Sequence, residues 1–468
     1  MAAIVRTMTA RRPTHAAVLV LLLGALALGA CEADEPVDLE ARLDEIAGQV
    51  AEVRGLDAPE AVDAEILDPG DFAALVLELG EARTGQVASA EQEAGEAVLV
   101  ALRHLEEGVD LDAVTAEAVE GGVVGGVYVP EEGAVYLPGE EGGLDPLGEV
   151  TAAHELTHAL QDRTVGLEGL LDLAVEGDPD AFLALNAVVE GDAVWTQERW
   201  SRVHQDTEDR ASYLGGGDAE AIAEGQRALE ALPAYLRDQL LFPYTAGADF
   251  VEALVADGGV GAIDAALADP PTTTAEILEP ERYLDGFEPA DVAVETSPGP
   301  EWDEAVRQGF GAFDLQMLVV QGDVTALAPA ARSWSGGALA SWTRGEEHAL
   351  AARVTFTDDA AAEQVCGALP SYYRAAADGV EAADDPGDGV EAADDPGDEV
   401  EAADDPGDGV EAADDPGDAA GDPGDAAVEG GAVLESAADA FAVACGSDEV
   451  RFAIAPDTAL ATALVDGG

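Results

Sequence analysis

Apolar residues recur at Leu39, Leu43, Ile46, Val50 and Val53, the three-and-four spacing of one helical face. Val62 to Leu67 alternates like a strand, and Asp68-Pro69 then opens a helix running through Phe72 and Val76. A further helix is expected over roughly 90–107. Residues 122–138, GVVGGVYVPEEGAVYLP, form two alternating apolar arms on either side of Pro130 to Gly133, which predicts a β-hairpin. Asp145-Pro146 starts a strongly apolar helix, and helical texture continues from about 167 to 265. Within that stretch the pattern is unbroken from Ala181 to His204, and a shorter helix is expected from Ala248 to Ala256. From 301 onward the texture changes: Ala331 to Ser335 and Ala351 to Thr357 are strand-like. Strands, a hairpin and then helices predict an α+β domain followed by a second, smaller α+β domain.

The two ends of the chain carry different signals. Residues 1–15 hold Arg6, Arg11 and Arg12 and no acid, and an apolar run from Ala16 to Leu28 is too short for a comfortable span. The run closes on Leu28-Gly29-Ala30-Cys31. A basic head, a short apolar core and small residues before a cysteine resemble a bacterial lipoprotein signal peptide. That resemblance implies cleavage before Cys31, a lipid on its sulfur, and an extracytoplasmic address at the cell membrane. Cys366 and Cys445 then remain. An even pair in an oxidising compartment points to one disulfide, with two separate buried thiols as the alternative. Near the C-terminus the decapeptide GVEAADDPGD repeats four times over residues 379–418, with Glu399 replacing the leading glycine of the third copy. Pro and Gly in every unit, with almost no bulky apolar residue, predict a solvated, disordered insertion over 379–425. Its aspartate spacing fits neither the EF-hand loop nor the calcium-binding nonapeptide. The expected organisation is a signal peptide over 1–30, a lipid-anchored tether over 31–50, a first domain over 51–300 and a small C-terminal domain over 301–468.

Charge narrows the partners. Ninety-eight acidic residues stand against 20 basic ones, all of them arginine, for a formal charge of −78. The repeat is not the source, since 79 acids remain outside residues 379–425. Such a surface repels phosphate backbones, which excludes a nucleic-acid role. It is the balance expected of a salt-adapted protein, in which counterions screen the self-repulsion.

The chemistry centres on Val150-Thr151-Ala152-Ala153-His154-Glu155-Leu156-Thr157-His158-Ala159-Leu160-Gln161-Asp162. On a helix, positions four apart stack on one face, so His154 and His158 can present ring nitrogens to a single cation. Glu155 sits on the adjacent edge. There it can face a water on the metal, whose pKa zinc lowers from about 15.7 toward about 7, and take its proton. Two imidazoles and a carboxylate buried on an apolar face without partners would be costly. A third protein ligand is required, and two Glu-Gly-Asp motifs offer one. Glu176 falls in a loop before Asp178, itself placed as an N-cap ahead of Pro179. Glu190 shares an otherwise largely apolar helix face with Leu183, Asn186, Ala187, Ala193 and Val194, where a carboxylate needs a cation. Glu190 is therefore preferred, with Glu176 in reserve. Gly191 would let another element approach closely, and Asp192 could orient a ligating imidazole.

HELTHALQD resembles the active-site helix of the gluzincins, thermolysin-like zinc peptidases with two histidines and a glutamate as ligands. The hairpin upstream is similar to the substrate-lining edge strand of zincin folds. The order of hairpin, HELTHALQD, VVEGDA and FPYTAGADFV, with the later PPTTTAEILEPERYL, also resembles poorly characterised exported bacterial zincins over roughly residues 50–290. The resemblance implies a zincin-like domain with one Zn2+ per chain, His154, His158 and Glu190 as ligands and Glu155 as general base. The gap between His158 and Glu190 is longer than in the thermolysin-like pattern. An oxyanion donor is also implied. Tyr244, in Leu241-Phe242-Pro243-Tyr244, resembles the downstream Tyr or His that gluzincins use, the alternative being a core aromatic; His204 is a second candidate donor. The sequence thus predicts a zinc-dependent peptidase acting on peptide or protein substrates. The competing expectation is an inactive zinc-binding lipoprotein that serves as an envelope scaffold.

Overall fold

The computed structural model describes residues 39–58, 62–84, 89–139, 144–167, 178–214, 219–321, 332–377, 431–436 and 439–466. The expected signal peptide with Cys31, the stretch holding Glu176 and the decapeptide repeat lie outside the described residues. Among the described residues no helix is long and apolar enough to cross a membrane. The architecture is mixed α+β, with a small sheet and a helical layer around one site and a larger sheet beyond them.

Helix α1 (Leu39–Arg54) buries Leu43, Ile46, Ala47, Val50 and Ala51. It packs on α5 (Pro146–Val165) in a core with Val150, Ala153, Leu156 and Leu160. The packed domain therefore begins at Leu39, inside the stretch expected to be tether, because the apolar stripe of α1 finds a partner. Strand β1 (Asp63–Leu67) pairs in parallel with β3 (Ala134–Pro138), which pairs antiparallel with β2 (Val127–Val129), giving the order β1-β3-β2. The hairpin turns at Gly133, whose φ of 64° favours glycine. Strand β2 thus lies at one edge of this sheet.

Helices α2 (Pro69–Thr84), α3 (Ser89–Ala101) and α4 (Leu111–Glu120) separate β1 from the hairpin. Helix α3 stops at Ala101 rather than near 107. Arg103 takes a positive φ of 57° there, and its guanidinium holds both oxygens of Asp439 at 2.7 Å. Two long helices follow α5. The first, α6 (Pro179–His204), is capped by Asp178, which accepts from the Asp180 N–H. After α7 (Thr207–Leu214) and α8 (Ala219–Ala231) comes α9 (Ala234–Gly258). Here the expected helix over 248–256 is corrected. The helix runs on upstream through Pro243, a residue that costs about 3 kcal/mol in a helix interior. Burial of Tyr235, Leu240 and Phe242 outweighs that cost.

Short helices α10 (Gly261–Ala268), α11 (Thr274–Leu278) and α12 (Pro280–Asp285) lead to β4 (Asp303–Gly309) and α13 (Ala312–Gln321). The C-terminal sheet runs β4-β5-β6-β9-β8-β7, all antiparallel, with β5 (Trp334–Arg344), β6 (Glu347–Phe356), β7 (Gly431–Glu435), β8 (Ala440–Cys445) and β9 (Glu449–Ala455). Strand β5 begins at Trp334, after turn residues Arg332 and Ser333; Ala331 lies outside the described residues. Helix α14 (Asp359–Ala377) covers one face and α15 (Thr458–Asp466) the other. A Cys366–Cys445 disulfide ties α14 to the end of β8. Ala94, Val98 and Leu102 lie in the same core as β6, β9 and α14, so the two expected domains share a core across the boundary at 300.

Candidate metal centre

The site is built where three helices meet. Helix α5 is fixed at its start by Asp145, which accepts from the Gly148 N–H at 2.7 Å, and ends at Gly166 with φ 73°. Between these caps every residue from Ala152 to Gln161 is buried. His154 and His158 lie one turn apart and meet edge to face, with ring centroids 4.9 Å apart and planes at 82°. Helix α6 crosses α5 and sets Glu190 against both rings. Glu190 Oε2 lies 3.2 Å from His154 Nε2 and 3.4 Å from His158 Nε2. Ligating atoms of the three residues all lie within 4.8 Å of one another, so the group could hold a metal ion.

The outer nitrogens decide which way the rings face. His154 Nδ1 is 2.8 Å from Gln197 Oε1, and His158 Nδ1 is 2.8 Å from Gln161 Oε1. The Gln161 amide has one workable orientation, because its Nε2 donates to both Val189 O and Asp192 Oδ2 at 2.9 Å. Its oxygen must therefore accept from His158 Nδ1, which leaves the Nε2 lone pair directed into the cluster. Asp192 also accepts from Thr196 Oγ1 at 3.2 Å and pairs with Arg54 Nε at 2.7 Å. Asp192 thus orients the His158 ring at one remove, through Gln161. Neither glutamine stood out in the sequence. Their signal is position alone: Gln161 is one turn past His158, and Gln197 two turns past Glu190.

Electrostatics agree with the geometry. Burial pushes Glu190 up, but the two imidazoles, His158 above all, outweigh it and hold the carboxyl at about 2. Burial disfavours a charged His158 ring, yet the Glu190 carboxylate wins and lifts it to about 9. His154 stays lowered, with burial dominant. Glu155 is fully buried and is pushed to about 8, chiefly by burial, with His158 opposing and Glu190 adding. The Tyr128 backbone on β2 faces its carboxyl. Gly126 lies just as close: a Cβ there would meet Glu155 Oε1 at 2.9 Å.

Tyr244 is brought into the site by α9. Its ring lies 6.1 Å from that of His154, and its hydroxyl bonds Glu190. Burial, with the Glu190 and Glu155 charges, holds its phenol well above the ordinary range, so it remains a donor. The approach depends on two glycines. A Cβ at Gly191 would sit 2.3 Å from the Gly247 carbonyl, and one at Gly247 would sit 2.1 Å from Ala187 O. The close contact expected at Gly191 is thus with α9. His204 is not in the site. It stacks on Trp200 at the far end of α6, about 21 Å of helix beyond Glu190. A groove of about 510 Å3 lies elsewhere, between the start of α6 and the C-terminal sheet.

Fold and site together define an α+β protein with a buried His-His-Glu cluster able to hold a metal ion. No family model matches the chain, and no curated protein matches it. A solved structure from Chloroflexus aurantiacus, described as a hydrolase candidate with a novel fold, aligns at 16% identity over 55% of this chain and 92% of that one. Its TM-score is 0.36, too low to bear on function.

Proposed function

We propose that this chain is an exported, lipid-anchored zinc peptidase of the gluzincin type, with His154, His158 and Glu190 as ligands. One observation carries the reading: three buried donors converge while Glu155, on the same helix, stands beside them with its carboxyl buried. The donor set fits the ion, because both Nδ1 atoms are committed to glutamine oxygens and both Nε2 atoms face one carboxylate. Two neutral imidazoles and a carboxylate form a ligand set used by catalytic zinc, with a position left open.

Zinc would supply a Lewis acid that polarises a carbonyl and acidifies water. The residues do the rest. A peptide laid along the outer edge of β2 would use the same strand-addition geometry that sheets use elsewhere. It would pass Gly126, where no side chain stands between the backbone and the buried Glu155 carboxyl. Glu155 takes the proton of the attacking water and returns it to the leaving amine, and its buried setting suits a group that cycles between both forms. Tyr244 donates to the oxygen that gains charge. Anchoring through Cys31 would place this chemistry on the outer face of the membrane.

Hydrolysis of unfolded casein, with and without chelator, tests the proposal. Wild type should cleave it and lose activity on chelation. Glu155→Gln should keep its zinc and lose about 100- to 10,000-fold in rate, the range of general-base effects. Full activity in Glu155→Gln would refute the assignment.

A further inference from the structure

The chain of contacts behind His158 continues past Gln161 and Asp192 to the other end of the domain. Arg54 is the last residue of α1, the first packed helix, and only 3% of its surface is exposed. Its Nε pairs with Asp192 Oδ1 at 2.7 Å, and its Nη2 donates to Asp264 Oδ1 on α10 at 2.8 Å. Neither Nε nor Nη1 has a hydrogen-bond partner among the described residues, so the Nε contact with Asp192 is a buried ion pair and the hydrogen bond is the one to Asp264. Burying a guanidinium is expensive, and packing alone would be better served by an apolar side chain. Asp192 is what requires it: that carboxylate is fully buried two residues from Glu190.

We propose that Arg54 is a positioning residue of the metal centre, holding Asp192 and through it Gln161 and the His158 ring, so that α1 is a working part of the site. This rests on His154, His158 and Glu190 holding a metal ion. The Gln161 amide is the pivot of this chain of contacts. Its NH2 is kept away from His158 by two acceptors, Val189 O and Asp192 Oδ2. With Asp192 displaced, one of those acceptors is lost and the amide is free to flip. A flipped amide presents N–H to His158 Nδ1, which drives the ring proton onto Nε2. That nitrogen is then closed to a metal. Arg54 prevents the flip by fixing the carboxylate with a fork that also grips α10.

Other contacts hold α1 in place without reaching the ligands, and they supply the control. Arg42 Nε donates to Glu149 Oε1 at 2.7 Å near the start of α5. The test measures the zinc dissociation constant of the mature chain by competition with a chromogenic chelator, alongside thermal melting. Arg54→Met should weaken zinc about 10- to 100-fold, the range seen when a group behind a ligating histidine is removed. Arg54→Lys keeps a charge for Asp192 but loses the fork, and should weaken zinc about three- to tenfold. Arg42→Met should lower the melting temperature while leaving zinc within about twofold of wild type. Adding Arg54→Met to Asp192→Asn should weaken zinc little further, since both act on one path.

A folded Arg54→Met protein with wild-type zinc affinity would overturn the proposal, as would Arg42→Met weakening zinc equally. If Arg54→Met does not fold, Arg54→Lys decides, and wild-type affinity in that variant overturns it. A wild type that binds no zinc removes the metal assignment itself, and this inference with it. That result is separate from any ordering of the variants.

Discussion

Zinc binding near neutral pH should expel about one proton from this protein. Both imidazoles commit Nδ1–H to glutamine oxygens, so two neutral rings would aim lone pairs at Glu190 Oε2 across 3.2 and 3.4 Å. Lone pairs facing a carboxylate repel, so the metal-free cluster holds a proton. His158 carries it, since the Glu190 carboxylate overcomes the burial penalty and raises that ring from 6.5 to about 9. Glu190, at about 2, is ionised throughout. A gap of that size corresponds to roughly 3 kcal/mol of differential interaction. At pH 7 the cluster therefore keeps its proton, and a metal needs the same lone pair. Apparent zinc affinity should therefore rise about tenfold per pH unit from 7 toward 9 and level off above. Stability of the metal-free fold runs the other way. A raised folded-state pKa stabilises fully below the unfolded value near 6.5, and that contribution is lost as pH climbs through about 9. Calorimetric titration of zinc into chelator-stripped protein, in two buffers of different ionisation enthalpy, reads the proton directly. A buffer-independent enthalpy at pH 7, or flat zinc affinity from pH 6.5 to 9, would refute the reasoning.

Two further outcomes follow from the helix crossing and from Tyr244. Gly247→Ala places a methyl group 2.1 Å from Ala187 O, so α9 must move off α6; stability should drop by about 1–3 kcal/mol, and an unchanged melting temperature would contradict that packing. Tyr244→Phe removes the donor beside Glu190 and should lower kcat about 10- to 1000-fold with zinc content and KM little changed; a loss confined to KM would assign the tyrosine to substrate binding.

Much of the site was legible because it is local. Two histidines four apart beside a glutamate need only a helix, and Asp145-Pro146 announces where that helix begins. Glu190 could be chosen because a carboxylate on an apolar face demands a cation, and Gly191 because a missing side chain on such a face invites a neighbour. What escaped is tertiary. Gln161 and Gln197 are neutral amides whose role exists only once α5 and α6 cross. Arg54 reads as a solvated charge at a helix end until Asp192 and Asp264 close around it. Pro243 sits inside α9, where buried aromatics on either side carry the helix through it. Strand β8 was missed because the Ala-rich run Ala440 to Cys445 has a single β-branched residue, Val443, to mark it; β9, by contrast, alternates Val450, Phe452 and Ile454, which is a legible strand pattern. The shared core of α3 with the C-terminal sheet joins segments too far apart in the chain for any local pattern to show.

Metal content is the most direct measure of the central claim. Wild type, Glu176→Ala and Glu190→Ala proteins would be exposed to excess zinc, desalted and analysed for metal per chain. The account predicts about one zinc in wild type and in Glu176→Ala, and loss of most of it in Glu190→Ala. A metal-free wild type, or a Glu190→Ala protein that keeps its full complement, would contradict it.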